Sequence, residues 1–184
     1  MSFKCKIGIH SWDGYRCKRC SKERRLSIFT DARDGNVYKC DKIGNQIWMA
    51  ENFRYYVNKG CWAYDNNENY AKKYGYLYDF DTAKKVCPKG WHLPSKAEWQ
   101  KSAGRKLKKK KFSAQYGGFM STSFNANSFS FYNLGDFGCW WTSTKFGPDY
   151  NVYSIYLSVF AIIHNIVFDD SIECNGFSVR YLKD

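Results

Sequence analysis

The sequence predicts an α+β domain preceded by a short segment too poor in apolar residues to build a core. Three observations lead there. Short runs of alternating apolar and polar residues recur between turn signals such as Asp34-Gly35-Asn36 and Gly44-Asn45, the pattern of half-buried strands. Two stretches carry helix signatures, 82–87 and 95–106. A long Gly-, Ser- and Asn-rich stretch, 112–138, has no helical period.

Taken in order, Val37-Tyr38-Lys39-Cys40 reads as a strand, and Gln46-Ile47-Trp48-Met49-Ala50 as its neighbour across the Gly44-Asn45 turn. Asp65-Asn66-Asn67-Glu68-Asn69 reads as a loop. Asp81 is placed to cap a short helix over 82–87, which Pro88 ends. Ser95 and Glu98 have the spacing of a capping box, in which hydroxyl and carboxylate satisfy each other's backbone N–H groups. The helix they open runs through Trp99 to Lys106. Trp140-Trp141-Thr142-Ser143-Thr144 reads as a strand. Tyr153, Ile155, Leu157 and Val159 alternate with Ser154, Tyr156 and Ser158 as the next, with Leu157 and Val159 as core positions. Phe177, Val179 and Tyr181 alternate with Ser178, Arg180 and Leu182 as the last.

The 184 residues suffice for one sizeable core, and 20% aromatic content argues against disorder. No apolar run reaches the length of a membrane-spanning helix, so no membrane insertion is expected. The start, Met1-Ser2-Phe3-Lys4-Cys5, lacks the apolar region of a secretory signal, which implies synthesis into the cytoplasm. The net charge of +12 is unevenly placed: +6 in residues 1–29, +7 in 101–111, and −2 in 145–184. Such basic patches suit a nucleic acid or another polyanion, but the run Lys106-Leu107-Lys108-Lys109-Lys110-Lys111 reads first as a solvated face.

Cys5, His10, Cys17 and Cys20 form C-x4-H-x6-C-x2-C. Zinc takes four thiolate or imidazole ligands in a tetrahedron, and a C-x2-C turn supplies two from one tight knuckle. Bound metal would supply folding energy that this segment's few apolar residues cannot. The four are therefore candidate Zn2+ ligands; the competing reading is unrelated thiols beside a chance histidine. The stretch also resembles short prophage zinc-knuckle proteins in its C-x4-H-x-W and C-x2-C elements. The division is thus a knuckle, 1–29, and a main domain, 30–184. The other cysteines, Cys40, Cys61, Cys87, Cys139 and Cys174, are odd in number and read as free thiols.

Several strings in the main domain line up in order: Asp34-Gly35-Asn36-Val37-Tyr38-Lys39, Gly44-Asn45-Gln46-Ile47-Trp48-Met49-Ala50-Glu51-Asn52, Tyr74-Gly75-Tyr76-Leu77-Tyr78, Cys87-Pro88-Lys89-Gly90-Trp91-His92-Leu93-Pro94-Ser95, Trp140-Trp141-Thr142-Ser143-Thr144 and Gly176-Phe177-Ser178-Val179-Arg180. Together they resemble the Fibrobacter succinogenes major paralogous domain across 30–184. The resemblance implies a C-type-lectin-like fold, of the branch that includes formylglycine-generating enzymes, with two helices and short antiparallel strands. It also implies surface display, and a relation to the variable proteins of diversity-generating retroelements. Trp48, Trp91, Trp99, Trp140 and Trp141 read as core, Glu51, Asn52 and Arg180 as internal polar ties, and His92 as a structural histidine.

Residues 150–174 depart from the Asn-rich composition usual in that family. They hold no Lys, Gln, Met or Trp, and Glu173 alone falls outside what pyrimidine-ending codons encode. Randomising the adenines of Asn codons in a retroelement template produces this restriction. An ordinary apolar strand pair accounts for 153–159 but less well for 162–170, where Asn and Asp interrupt both periods. Tyr150, Asn151, Tyr153, Tyr156, Phe160, Ile163, His164, Ile166, Phe168 and Asp170 are therefore the candidate ligand-binding residues, facing a protein or cell-surface macromolecule.

Catalytic signatures are missing. No acid neighbours His92 or His164 in sequence, no reactive cysteine pair is close in sequence (Cys139 and Cys174 could meet only in space), and no phosphate loop occurs. Neither the Glu-Pro-Asn or Gln-Pro-Asp turn nor the Trp-Asn-Asp of calcium-dependent sugar binding is present. The sequence thus predicts a non-enzymatic, phage- or prophage-associated display protein, synthesised in the cytoplasm and suited to a virion. The alternatives are a fixed-specificity adhesion or structural module, and a nucleic-acid binder using the knuckle and lysine run. Oligomeric state is left open.

Overall fold

The computed structural model describes residues 12–13, 16–20, 27–106, 114–122, 128–146, 151–158, 167–172 and 175–184. In chain order the strands are β1 (Trp12–Asp13), β2 (Arg16–Cys17), β3 (Ser27–Thr30), β4 (Val37–Ile43), β5 (Gln46–Met49), β6 (Cys61–Trp62), β7 (Leu77–Tyr78), β8 (Trp91–His92), β9 (Phe119–Thr122), β10 (Phe129–Tyr132), β11 (Phe137–Phe146), β12 (Asn151–Ser158), β13 (Val167–Ile172) and β14 (Leu182–Lys183). The helices are α1 (Glu68–Tyr74), α2 (Phe80–Lys85) and α3 (Lys96–Lys106), with a 3-10 turn over Tyr64–Asn66. The mixed α+β content expected from the sequence is present.

One antiparallel sheet has the order β3-β4-β5-β14-β8, and a second the order β11-β12-β13. The small pairs β6–β7 and β9–β10 are joined to the segment before β14 by isolated bridges, Tyr78 to Phe177 and Met120 to Gly176. The alternation of β4 is that of a sheet covered on one side: Tyr38 and Cys40 are buried, Val37 and Lys39 exposed. All five tryptophans expected in the core are there, with Trp99 of α3 packed 4.7 Å from Trp48 and 6.4 Å from Trp140 between ring centroids.

The capping box at the head of α3 forms as the spacing requires. The Ser95 N–H and hydroxyl both donate to Glu98 at 2.8 Å, and the Glu98 N–H donates to the Ser95 oxygen. The other helices differ from expectation. Asp79, not Asp81, caps α2 by accepting from the Thr82 N–H at 2.7 Å. That places Phe80 inside the helix, buried, while Asp81 moves to the first turn and pairs with Lys84. The segment read as a loop contains the start of α1, capped by the Asn67 side chain. Its sequence, ENYAKKY, fully buries Ala71 alone, and the pair Tyr70 and Tyr74 at helical spacing is too short a period to announce it.

The last expected strand is also different. Residues 177–182 do not alternate between core and solvent; all six are buried. The segment threads the centre of the domain. Phe177 exchanges backbone hydrogen bonds with Tyr78, Ser178 bonds Cys139 and Trp141, Val179 receives from Phe53, and Tyr181 receives from Met49. Only Leu182–Lys183 pairs as a regular strand. In β12 too, simple alternation fails: Val152, Ser154 and Ile155 are all buried. The side chain of Leu157 and all of Val159 lie outside the described residues.

His92, read as a hydrogen-bonded histidine, is held on both ring nitrogens by acids, one six positions along the chain and one 92 positions away. Its Nδ1 meets Asp184 at 2.7 Å and its Nε2 meets Glu98 at 3.0 Å. The imidazole thus ties β8 to the β14 end and to α3. Burial alone would lower its pKa, but the hydrogen bonds to Asp184 and Glu98, with their charges, raise it above the ordinary histidine value. For Glu98, burial would raise the pKa; the Ser95 and His92 hydrogen bonds lower it instead. The sign follows: stability from a raised histidine is full below its unfolded pKa and is lost as pH rises through the folded one. His92→Gln should therefore cost most stability near pH ~5.5, where Glu98 is still ionised, and much less above pH ~8.5. Urea unfolding at the two pH values checks this, and an equal loss at both would contradict it.

Candidate binding face

The segment carrying the candidate ligand residues is built on β12 and β13. Strand β12 lies between β11 and β13, with Trp140 opposite Ile155 and Ile155 opposite Phe168. Tyr153 is opposite Asp170, and Tyr156 stands between Cys139 and Val167 in register. A register shift between Trp141 and Lys145 bends β11 where the pairing resumes at Val152. The side chains of Asn151, Tyr153, Tyr156, Phe168 and Asp170 lie outside what is described, and so do Tyr150, Phe160, Ile163, His164 and Ile166 altogether. The structure brings five of the ten candidates onto two paired strands by backbone alone.

What anchors this sheet is a buried polar junction at Asn52. Its Oδ1 accepts from the Trp140 Nε1 and the Arg180 Nε, both at 2.9 Å. Its Nδ2 reaches the Tyr74 carbonyl at 2.8 Å and the Gln115 carbonyl and Ser178 hydroxyl at 3.2 Å. Its backbone N–H donates to the Gln115 side chain. Arg180 is fully buried, with its guanidinium 5.8 Å from the Trp140 ring centroid. Nearby, the Trp141 Nε1 donates to the Tyr78 carbonyl at 2.6 Å. Both strings flanking the candidate segment, 140–144 and 176–180, are thus fixed from inside. The reading of Asn52 and Arg180 as internal ties holds. Glu51 is half-exposed and accepts from the Lys39 N–H.

Gly118 and Gly138 bridge each other where β9 approaches β11. At Gly118, φ is +65°, and an added Cβ would lie 2.4 Å from the Tyr132 carbonyl oxygen. Only glycine fits there.

Of the metal-ligand candidates, Cys5 and His10 lie outside the described residues. Cys17 closes β2, opposite Trp12 in register, and a turn carries the chain to the half-buried Cys20. A strand end followed by a tight turn is the backbone form a C-x2-C knuckle uses. Among the described residues no group of three or more ligating side chains converges, but Cys20 is the one member of the quartet whose side chain is described.

Cys40, Cys61, Cys87 and Cys139 are free thiols, and Cys174 lies outside the described residues. Burial pushes the Cys40 thiol up to about 11 and those of Cys61 and Cys87 up to about 12, with Cys139 higher still. Thiols so protonated at neutral pH are poor nucleophiles and packing groups first. Sequence reading missed one concavity of about 220 Å³, lined by Asn36, Arg54, Glu68, Ala71, Lys72 and Tyr76. It is largely self-satisfied: Tyr76 donates to Glu68, and Arg54 to Asn36 and the Val37 carbonyl. Its residues come from three separated stretches, and no local pattern marks them. Among the described residues no helix is long and apolar enough to cross a membrane.

Asn52→Ala removes the acceptor shared by Trp140 and Arg180 from a site sealed from water. The expected loss is about 3 kcal/mol or more, read as a lower urea midpoint at unchanged slope. A loss under about 1 kcal/mol would mean the junction is not what holds the two flanking strings together.

Comparison with known proteins gives one family. Neither a curated protein nor a solved structure matches the chain. Residues 42–110 match the family model of the Fibrobacter succinogenes major domain, spanning β5 through α3 and including Asn52, His92 and the capping box. That stretch is the part of the chain assigned to this family, the one its motifs resemble.

Proposed function

We propose that the chain is a binding module and not an enzyme: a retroelement-diversified display protein of C-type-lectin-like fold, which presents residues 150–174 to a protein or cell-surface partner. The observation that carries this reading is the restricted residue set of 150–174, placed between two strings locked by Asn52. A scaffold held from inside tolerates changes on strands whose ends are pinned. Tyr and Phe there offer large contact area at low entropy cost. The protonated, buried thiols and the acid-clamped His92 support the non-catalytic reading.

The N-terminal quartet, Cys5, His10, Cys17 and Cys20, would hold one Zn2+ and serve as an attachment or folding element, consistent with phage or prophage association. Zinc would contribute folding energy there and no reaction step.

Three measurements test the reading. Sequencing the neighbouring DNA should reveal a reverse-transcriptase gene and a near-copy of the stretch encoding 150–174; their absence favours a fixed-specificity module of the same family. Replacing Tyr156 and Phe168 by Asn should leave the melting temperature within about 2 °C, whereas a fall of roughly 5 °C or more would place them in the core. Elemental analysis of purified protein should find ~1 zinc per chain, lost on Cys17→Ser with Cys20→Ser.

A further inference from the structure

Strand β10 is an edge strand whose exposed side chains are mostly aromatic. It pairs with β9 in a two-stranded sheet, and among the described residues nothing pairs its outer edge. Its sequence, Phe129-Ser130-Phe131-Tyr132, contains no charge and no proline, the usual devices that keep an edge from pairing with another chain. Phe129 is 44% and Tyr132 45% exposed, and Ser130 is exposed between them.

The rings around this edge form a corrugated surface. Trp62 lies 6.2 Å from Phe129 at an interplanar angle of 53°, and Phe129 lies 5.6 Å from Phe131 at 85°. On the other face Tyr132 stacks on Phe119 at 5.4 Å. Tilted rings with notches between them accept interdigitating side chains better than the flat face of a sugar ring. The surface is also electrically blank: residues 116–138 hold a single charge, Asp136, in a chain of net charge +12. An acidic partner would be drawn to the basic segments. Two copies of this chain repel each other wherever those segments meet, and the uncharged aromatic edge lets them approach without that cost.

We infer that β10 is a self-association edge: two copies pair their β10 strands antiparallel about a two-fold axis, joining two hairpins into one four-stranded sheet. The pairing satisfies the outer backbone groups of both strands and covers Phe129 and Tyr132 in one step. With the two-fold axis at Ser130 the two Ser130 residues lie directly opposite each other on one face, their Cβ atoms about 5 Å apart.

The experiment is sedimentation velocity on the full chain at low salt, at about 1–100 µM. The parent should shift from monomer toward dimer across that range. Ser130→Lys and Ser130→Glu, each alone, should remain monomeric at the highest concentration, because each sets like charges across the axis. An equimolar mixture of the two variants should recover the dimer, which separates loss of pairing from loss of folding. A parent that stays monomeric throughout overturns the inference. So does a variant that dimerises like the parent, or a mixture that fails to restore the dimer.

Discussion

The domain depends on one carboxamide. Asn52 follows β5 in a stretch of irregular backbone, and from there it reaches the α1 end, the 114–118 connection, β11 and the threaded segment 177–181. Asparagine suits the place because it presents a donor and an acceptor at fixed spacing. An apolar residue would satisfy neither the Trp140 ring nor Arg180; a carboxylate would face the Tyr74 and Gln115 carbonyls with no donor to offer. In a low-dielectric interior, a satisfied network of this kind selects one arrangement of loops over its rivals. Loops need such selection, since little regular secondary structure sets their path.

The sequence was most legible where a local rule governs structure. The capping box at Ser95 and Glu98, the strand pair around Gly44-Asn45 and the burial of the five tryptophans follow from spacing, turn chemistry and size. It was least legible where tertiary contacts override periodicity. Helix α1 fully buries Ala71 alone, so ENYAKKY offers little more than the Tyr70–Tyr74 pair at helical spacing, with Asn67 and Gly75 as its caps. The alternation of 177–182 was real in the sequence but had no meaning in the fold, because both sides of that segment are covered. The acids around His92 illustrate a third limit. Asp184 is 92 positions away, and only the antiparallel pairing of β8 with β14 brings it to the ring.

The candidate face is legible in a different way. It was read from the restricted residue types of 150–174, not from a folding rule, and the strands beneath it are recognisable only through their register with Trp140 and Cys139. The family match covers 42–110, which holds the Asn52 side of the junction and stops before β11. The matched stretch thus carries Asn52, while its partners Trp140, Ser178 and Arg180 lie beyond it.

The bridge between Trp140 and Ser178 has a consequence for the chain between them. It makes residues 141–177 a closed excursion whose two ends meet in the core and whose β12 residues Val152, Ser154 and Ile155 are buried as well. The conformational cost of such an excursion depends on its length only logarithmically, so even a doubling adds about 0.6 kcal/mol. With its two ends held together, the entropic cost of closing it changes little when its length changes. Variation in length, as well as in side chain, is thermodynamically open to this part of the molecule.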